Sequence, residues 1–147
     1  MYVASAADVA VVQPLAEVFP TLNVWSTTAV PLGIGRLSGA PVVAKAVARD
    51  SEAYMSHLAA STLALDLAGC DDRLPGLAAE LGVPCIGSAA LDGQRWLWPE
   101  LTMDATDVRA ATMAGRRVLT DQCEAARACS VARGRLEESR QRWRKEA

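Results

Sequence analysis

Between Ser61 and Ser88 two short apolar runs enclose a turn-rich segment and a helix-forming one, and no other stretch narrows the possible folds so far. Leu63 to Leu67 is apolar apart from Asp66, Gly69 to Arg73 is polar, the next residues to Leu81 favour helix, and Gly82 precedes a second run, Val83 to Ile86. Apolar runs of this length bounded by turn residues suit strands buried on both faces. Two of them joined by a crossover helix make neighbouring parallel strands. The loop after Leu67 then lies at the carboxyl end of the sheet, where open α/β sheets bind ligands.

The flanking sequence extends the same alternation. Asp8 is placed to cap a helix over Val9 to Val18, with Val11, Val12 and Leu15 on one side. Pro14 either kinks that helix or falls in the first turn of a shorter one. Asn23 to Val30 and Pro41 to Ala48 read as strands, and Asp50 or Ser51 caps a helix through Ala60, on which Ala53, His57 and Ala60 share a face. Ala89 to Leu101 reads as irregular; its Trp96 and Trp98 either stack on a base or sugar or bury apolar area under a loop. Asp104 and Asp107 open one helix through about Leu119, and Asp121 to Glu124 open a longer one. The expected fold is a three-layer, Rossmann-like α/β domain: an open parallel sheet of about five strands, helices on both faces and a helical tail. Residues 1–104 make the core and 105–147 a helical extension of the same domain.

Composition excludes several classes of function. The chain has 147 residues, 51% apolar and 22% charged, enough for one core without disulfides or metal. No apolar run approaches a membrane span and the first residues do not read as a leader, so a soluble cytoplasmic protein is expected. Cys70, Cys85, Cys123 and Cys129 form no Cys-x-x-Cys pair, and His57 is the single histidine, so no metal set is visible. Cys85 reads as a small core residue, whereas Cys70 lies in the ligand-side loop. Residues 1–108 carry 5 basic and 12 acidic side chains, and residues 109–147 carry 10 and 5. The basic tail suits an acidic surface, but Glu137, Glu138 and Glu146 interrupt it as on an ordinary solvated face, so no strong nucleic-acid signal remains. The glycines at 33, 35 and 39 suggest a dinucleotide loop, yet Pro41 and an apolar run follow where the phosphate-binding helix belongs.

Taken in order, these elements resemble the second, nucleotide-sugar-binding half of GT-B glycosyltransferases of the retaining, group 1 type. The resemblance rests on Glu52-Ala-Tyr-Met-Ser-His-Leu-Ala-Ala60, the strand and loop from Leu63 to Leu81, the Gly82-Val-Pro-Cys-Ile-Gly-Ser88 strand, and the Leu119-Thr-Asp121 break before a basic helix. It implies a nucleotide or nucleotide sugar over Ser5, Gly33, Gly35, Gly69, Asp71 and Asp72, and a partner half that supplies the acceptor side. The family's two donor-loop glutamates align with Gly69 and Leu77, and its basic residues near the first and third strands have only Lys45 or Arg49 as counterparts. Without them a leaving diphosphate lacks its cations. No catalytic residue is assigned, and the acidic pair Asp71 and Asp72 would repel a diphosphate unless Mg²⁺ or a partner's basic residue intervened.

Asp66 at the end of an apolar strand, with Ser88 after the next, also looks like a phosphoacceptor receiver domain. That chemistry needs an acidic pair for Mg²⁺ and a lysine; Asp8 is a single acid, and no lysine lies between Lys45 and Lys145. The third reading is a non-catalytic interaction module, in which Asp66 is satisfied by loop amides and Asp71 and Asp72 cap a helix.

Overall fold

The computed structural model describes residues 1–5, 8–19, 21, 23–26, 44–46 (backbone only) and 51–146. Six strands, β1 (Tyr2–Val3), β2 (Val24–Ser26), β3 (Ala44–Ala46), β4 (Ala64–Asp66), β5 (Cys85–Ser88) and β6 (Thr102–Met103), form one parallel sheet. Their order across it is β3-β2-β1-β4-β5-β6. The two runs around the central loop are neighbours, with Ala64, Leu65 and Asp66 opposite Cys85, Ile86 and Gly87. On the other side Tyr2 and Val3 lie opposite Ala64 and Leu65. The sixth strand, added to the expected five, is the two-residue β6 on the outer edge of β5.

The helices are α1 (Val9–Val18), α2 (Glu52–Ala59), α3 (Leu74–Leu81), α4 (Asp92–Leu97), α5 (Val108–Thr120) and α6 (Gln122–Glu146). α1 packs on α5, while α3 packs on α2, α4 and α6, so the sheet carries a helical layer on each face. Side chains alternate along the pleat. Tyr2, Trp25, Cys85 and Gly87 serve the α2–α4 face, where Tyr2, Trp25 and Tyr54 meet with ring centroids 4.6 to 5.8 Å apart. Gln94 on α4 fills the space a Cβ at Gly87 would take, 2.7 Å away.

Caps explain most helix boundaries. Ser51 Oγ accepts the Tyr54 N–H at 3.0 Å and Asp107 Oδ1 that of Ala110 at 2.9 Å. Asp121 Oδ1 accepts the N–H groups of Cys123 and Glu124. α3 stops at Gly82, whose φ of +72° lets Val83 N–H close on the Ala78 carbonyl.

One expectation changes, and two alternatives that the sequence leaves open are resolved. α1 begins at Val9 with Pro14 inside it, because Val11, Val12 and Leu15 bury one face and outweigh the hydrogen bond that proline cannot make. The stretch from Ala89 to Leu101 is ordered as α4 and a 3₁₀ turn over Pro99–Leu101. Trp98 is buried there and donates from Nε1 to the Pro75 carbonyl at 3.0 Å, which removes it as a stacking surface. Trp96 is half exposed under the Arg135 guanidinium, 5.3 Å from the ring centroid.

Candidate functional site

β1 leads towards β2 on one side and β4 towards β5 on the other, so the chain changes direction between β1 and β4. Loops at the carboxyl ends of two such strands diverge to opposite faces and leave a crevice. At that edge Ser5 and Asp8 follow β1, and residues 67–73 follow β4.

Asp66 builds the second border. Its Oδ1 accepts the Cys70 N–H and its Oδ2 the Asp71 N–H, both at 2.8 Å, while its carbonyl accepts the Gly69 N–H. A loop folded back this tightly needs Gly69 at φ +69°. Asp71 is buried and holds the next turn, its Oδ1 accepting the Arg73 N–H at 3.2 Å, and Arg73 Nε lies 3.9 Å from the same oxygen. Asp72 is exposed beside it.

Asp8 closes the crevice from the other side. Its side chain makes no cap on α1; Oδ1 instead reaches across to the N–H groups of Leu67 at 3.0 Å and Ala68 at 3.3 Å. Oδ2 is buried with no hydrogen-bond partner among the described residues. Burial, with the Asp66 carboxylate nearby, pushes the Asp8 pKa up from 3.8 to about 7. One of the carboxyl groups at this edge therefore titrates in the neutral range. Burial likewise drives the Cys85 thiol well above its ordinary value, with Asp66, Asp71 and Asp8 adding to the effect.

Of the residues assigned from sequence, Ser5, Gly69, Asp71 and Asp72 come to this one edge, and Gly33 and Gly35 lie outside the described residues. Ser88 and Leu91 also border it, because a Cβ on Gly69 would sit 3.2 Å from Ser88 Cβ and 3.6 Å from Leu91 Cγ. The position matching the first donor-loop glutamate is thus a left-handed, crowded glycine. The second, Leu77, is half-buried against the core. The N–H groups of Leu67, Ala68, Gly69, Cys70 and Asp71 are all turned inward to Asp8 and Asp66. In this conformation these amides are engaged within the chain and are not directed at a diphosphate. Arg73 is the one cation of this loop.

The same inward bonding bears on phosphorylation. Asp66 is 1% exposed with both oxygens occupied, so attack on a phosphodonor requires the turn to open first. Ser88 is also buried, its Oγ accepting the Ala90 N–H at 3.1 Å. Among the described residues no group of three or more His, Cys, Asp or Glu side chains is arranged to hold a metal ion. Asp8 is the residue that sequence reasoning misplaced: a carboxylate just ahead of a helix reads as a cap, and its true partners lie 59 and 60 residues further on.

Comparison with protein-family models, curated proteins and solved structures finds no match. No described helix is long and apolar enough to cross a membrane.

Proposed function

We propose that the chain is a glycosyltransferase-like donor-binding domain, which holds a nucleotide or nucleotide sugar over the carboxyl ends of β1 and β4 and transfers sugar only together with an acceptor-binding half. The observation that carries this reading is the strand order. In the doubly wound dinucleotide-binding fold the order is 3-2-1-4-5-6, whereas the receiver-type sheet runs 2-1-3-4-5. β3 lies outside β2, with Val24, Trp25 and Ser26 opposite Ala44, Lys45 and Ala46, which is the first pattern.

The chemistry follows from what borders the crevice. Ser5, Gly69 and Asp72 offer a small, polar rim for a ribose or base, while Asp66 and Asp71 beneath it disfavour a bare diphosphate. Binding is therefore weak, and it strengthens where Asp8 carries its proton, because one negative charge is then removed from under the ligand. Transfer by this chain alone is not expected, since neither Gly69 nor Leu77 offers a carboxylate to the sugar.

The test is titration of uridine, guanosine and adenosine diphosphates and their sugar conjugates, with and without Mg²⁺, following the amide resonances of residues 67–74. Shifts concentrated there support the site. Their absence for every nucleotide rejects it, and stable labelling of Asp66 by acetyl phosphate replaces it with the receiver reading.

A further inference from the structure

Apart from Arg133, which lies against Gly82, the cations of α6 fall into two sets. Arg127 pairs with Glu100, Arg135 lies over Trp96 and donates to its carbonyl, and Arg140 pairs with Glu80, so these pin the helix to the domain. Arg142, Arg144 and Lys145 form no ion pair among the described residues. Between them stands Trp143, 72% exposed.

Helical spacing gives that tryptophan its meaning. Cys129, Ala132 and Leu136 form the stripe that α6 packs against the core, and three- and four-residue steps carry the stripe on through Arg140 to Trp143. Beyond Leu136 no apolar side chain of α6 packs on the described core; Arg140 on the same line is tied to Glu80, and the indole of Trp143 stands exposed one turn further on. Arg142 and Arg144, one residue either way, stand about 100° to each side of it. A helix with an indole on one line and cations on both flanks suits the headgroup layer of a bilayer, where the ring sits at the polar boundary and the long side chains reach phosphates.

We infer that the last two turns of α6 form a docking surface for an anionic phospholipid bilayer. Charge complementarity favours a bilayer over nucleic acid. The cations from Arg140 to Lys145 span only about 9 Å of helix axis, too short for the many phosphate contacts that hold a protein on a duplex. A bilayer needs no longer footprint, because an indole flanked by three cations meets one headgroup layer, with Glu146 the single acid among residues 140–146.

The experiment is co-sedimentation of the full chain with large vesicles of phosphatidylcholine containing one-third phosphatidylserine, at low salt. Each cation near such a surface contributes about fivefold, so R142Q/R144Q/K145Q should weaken binding by roughly 100-fold. Glutamine keeps the helix, which circular dichroism checks. Trp143→Phe should abolish the quenching of fluorescence by brominated lipid that the parent chain shows. The inference is overturned by no sedimentation, by equal binding to pure phosphatidylcholine, by an unchanged triple variant, or by a single-stranded oligonucleotide being bound through these three cations while vesicles are not.

Discussion

Asp8 shows how much one buried side chain can decide. Folded, its carboxyl has a pKa of about 7 against 3.8 in the open chain, so folding takes up a proton between those values. The resulting stabilisation is complete below about pH 4 and is lost as pH rises through about 7. Three pH units correspond to something on the order of 4 kcal/mol. Asp8→Asn keeps an acceptor for the Leu67 and Ala68 amides and has no proton to lose. Urea unfolding at pH 5, 6 and 8 should therefore show the parent losing stability relative to this variant as pH rises; parallel curves would mean that Asp8 is ionised throughout. Gly69 allows a second test at the same scale. Gly69→Glu, which restores the carboxylate of the resembled family, forces a side chain into a left-handed backbone at a cost of roughly 1–2 kcal/mol. With Ser88 Cβ 3.2 Å from the new Cβ, a lower melting temperature and no gain in nucleotide affinity are expected.

At the level of elements, β5, α4 and β6 are held by one amide. Gln94 is fully buried; Nε2 donates to the Cys85 carbonyl at 2.9 Å and the Leu101 carbonyl at 3.2 Å, and Oε1 accepts from the Cys85 thiol. The single Thr102 hydroxyl proton is shared between the Trp98 carbonyl at 2.8 Å and the Gln94 carbonyl at 3.1 Å, where the edge strand starts. Gln94→Leu removes the Nε2 donor from two carbonyls and should cost about 3 kcal/mol, read as a lower urea midpoint at unchanged slope. It should also expose Cys85, which in the parent is buried and should react with a thiol reagent only on unfolding, while exposed Cys70 and Cys123 react at once. This region read as irregular because α4 is six residues long, too short for helical periodicity to emerge, and the Gln94 bonds that order it reach a carbonyl of β5 and one of the 3₁₀ turn. The central β4–α3–β5 unit was legible for the opposite reason. Its signals are local: short apolar runs, a turn with a required glycine, and a helix closed by Gly82.

For the molecule as a whole, the purified chain is expected to show no turnover of any nucleotide sugar above hydrolysis, measured by release of the diphosphate; transfer to an added acceptor by this chain alone would overturn the donor-half reading. The alternation of strands and helices, the parallel sheet and the caps at Ser51, Asp107 and Asp121 follow from sequence by itself, because burial on both strand faces and satisfaction of helix N–H groups leave marks on neighbouring residues. The assignment of Ser5, Gly69, Asp71 and Asp72 to one edge follows from the same pattern, since strand ends in a parallel sheet share a side. What those residues can do was decided only by tertiary structure. A carboxylate at position 8 selects the amides of positions 67 and 68, and a carboxylate at 66 turns those of 70 and 71 inward, so the loop that composition offers to a ligand is spent largely on itself. Such choices depend on which groups meet across 59 residues of chain and on how little water reaches them, and neither quantity is written in any local run of residues.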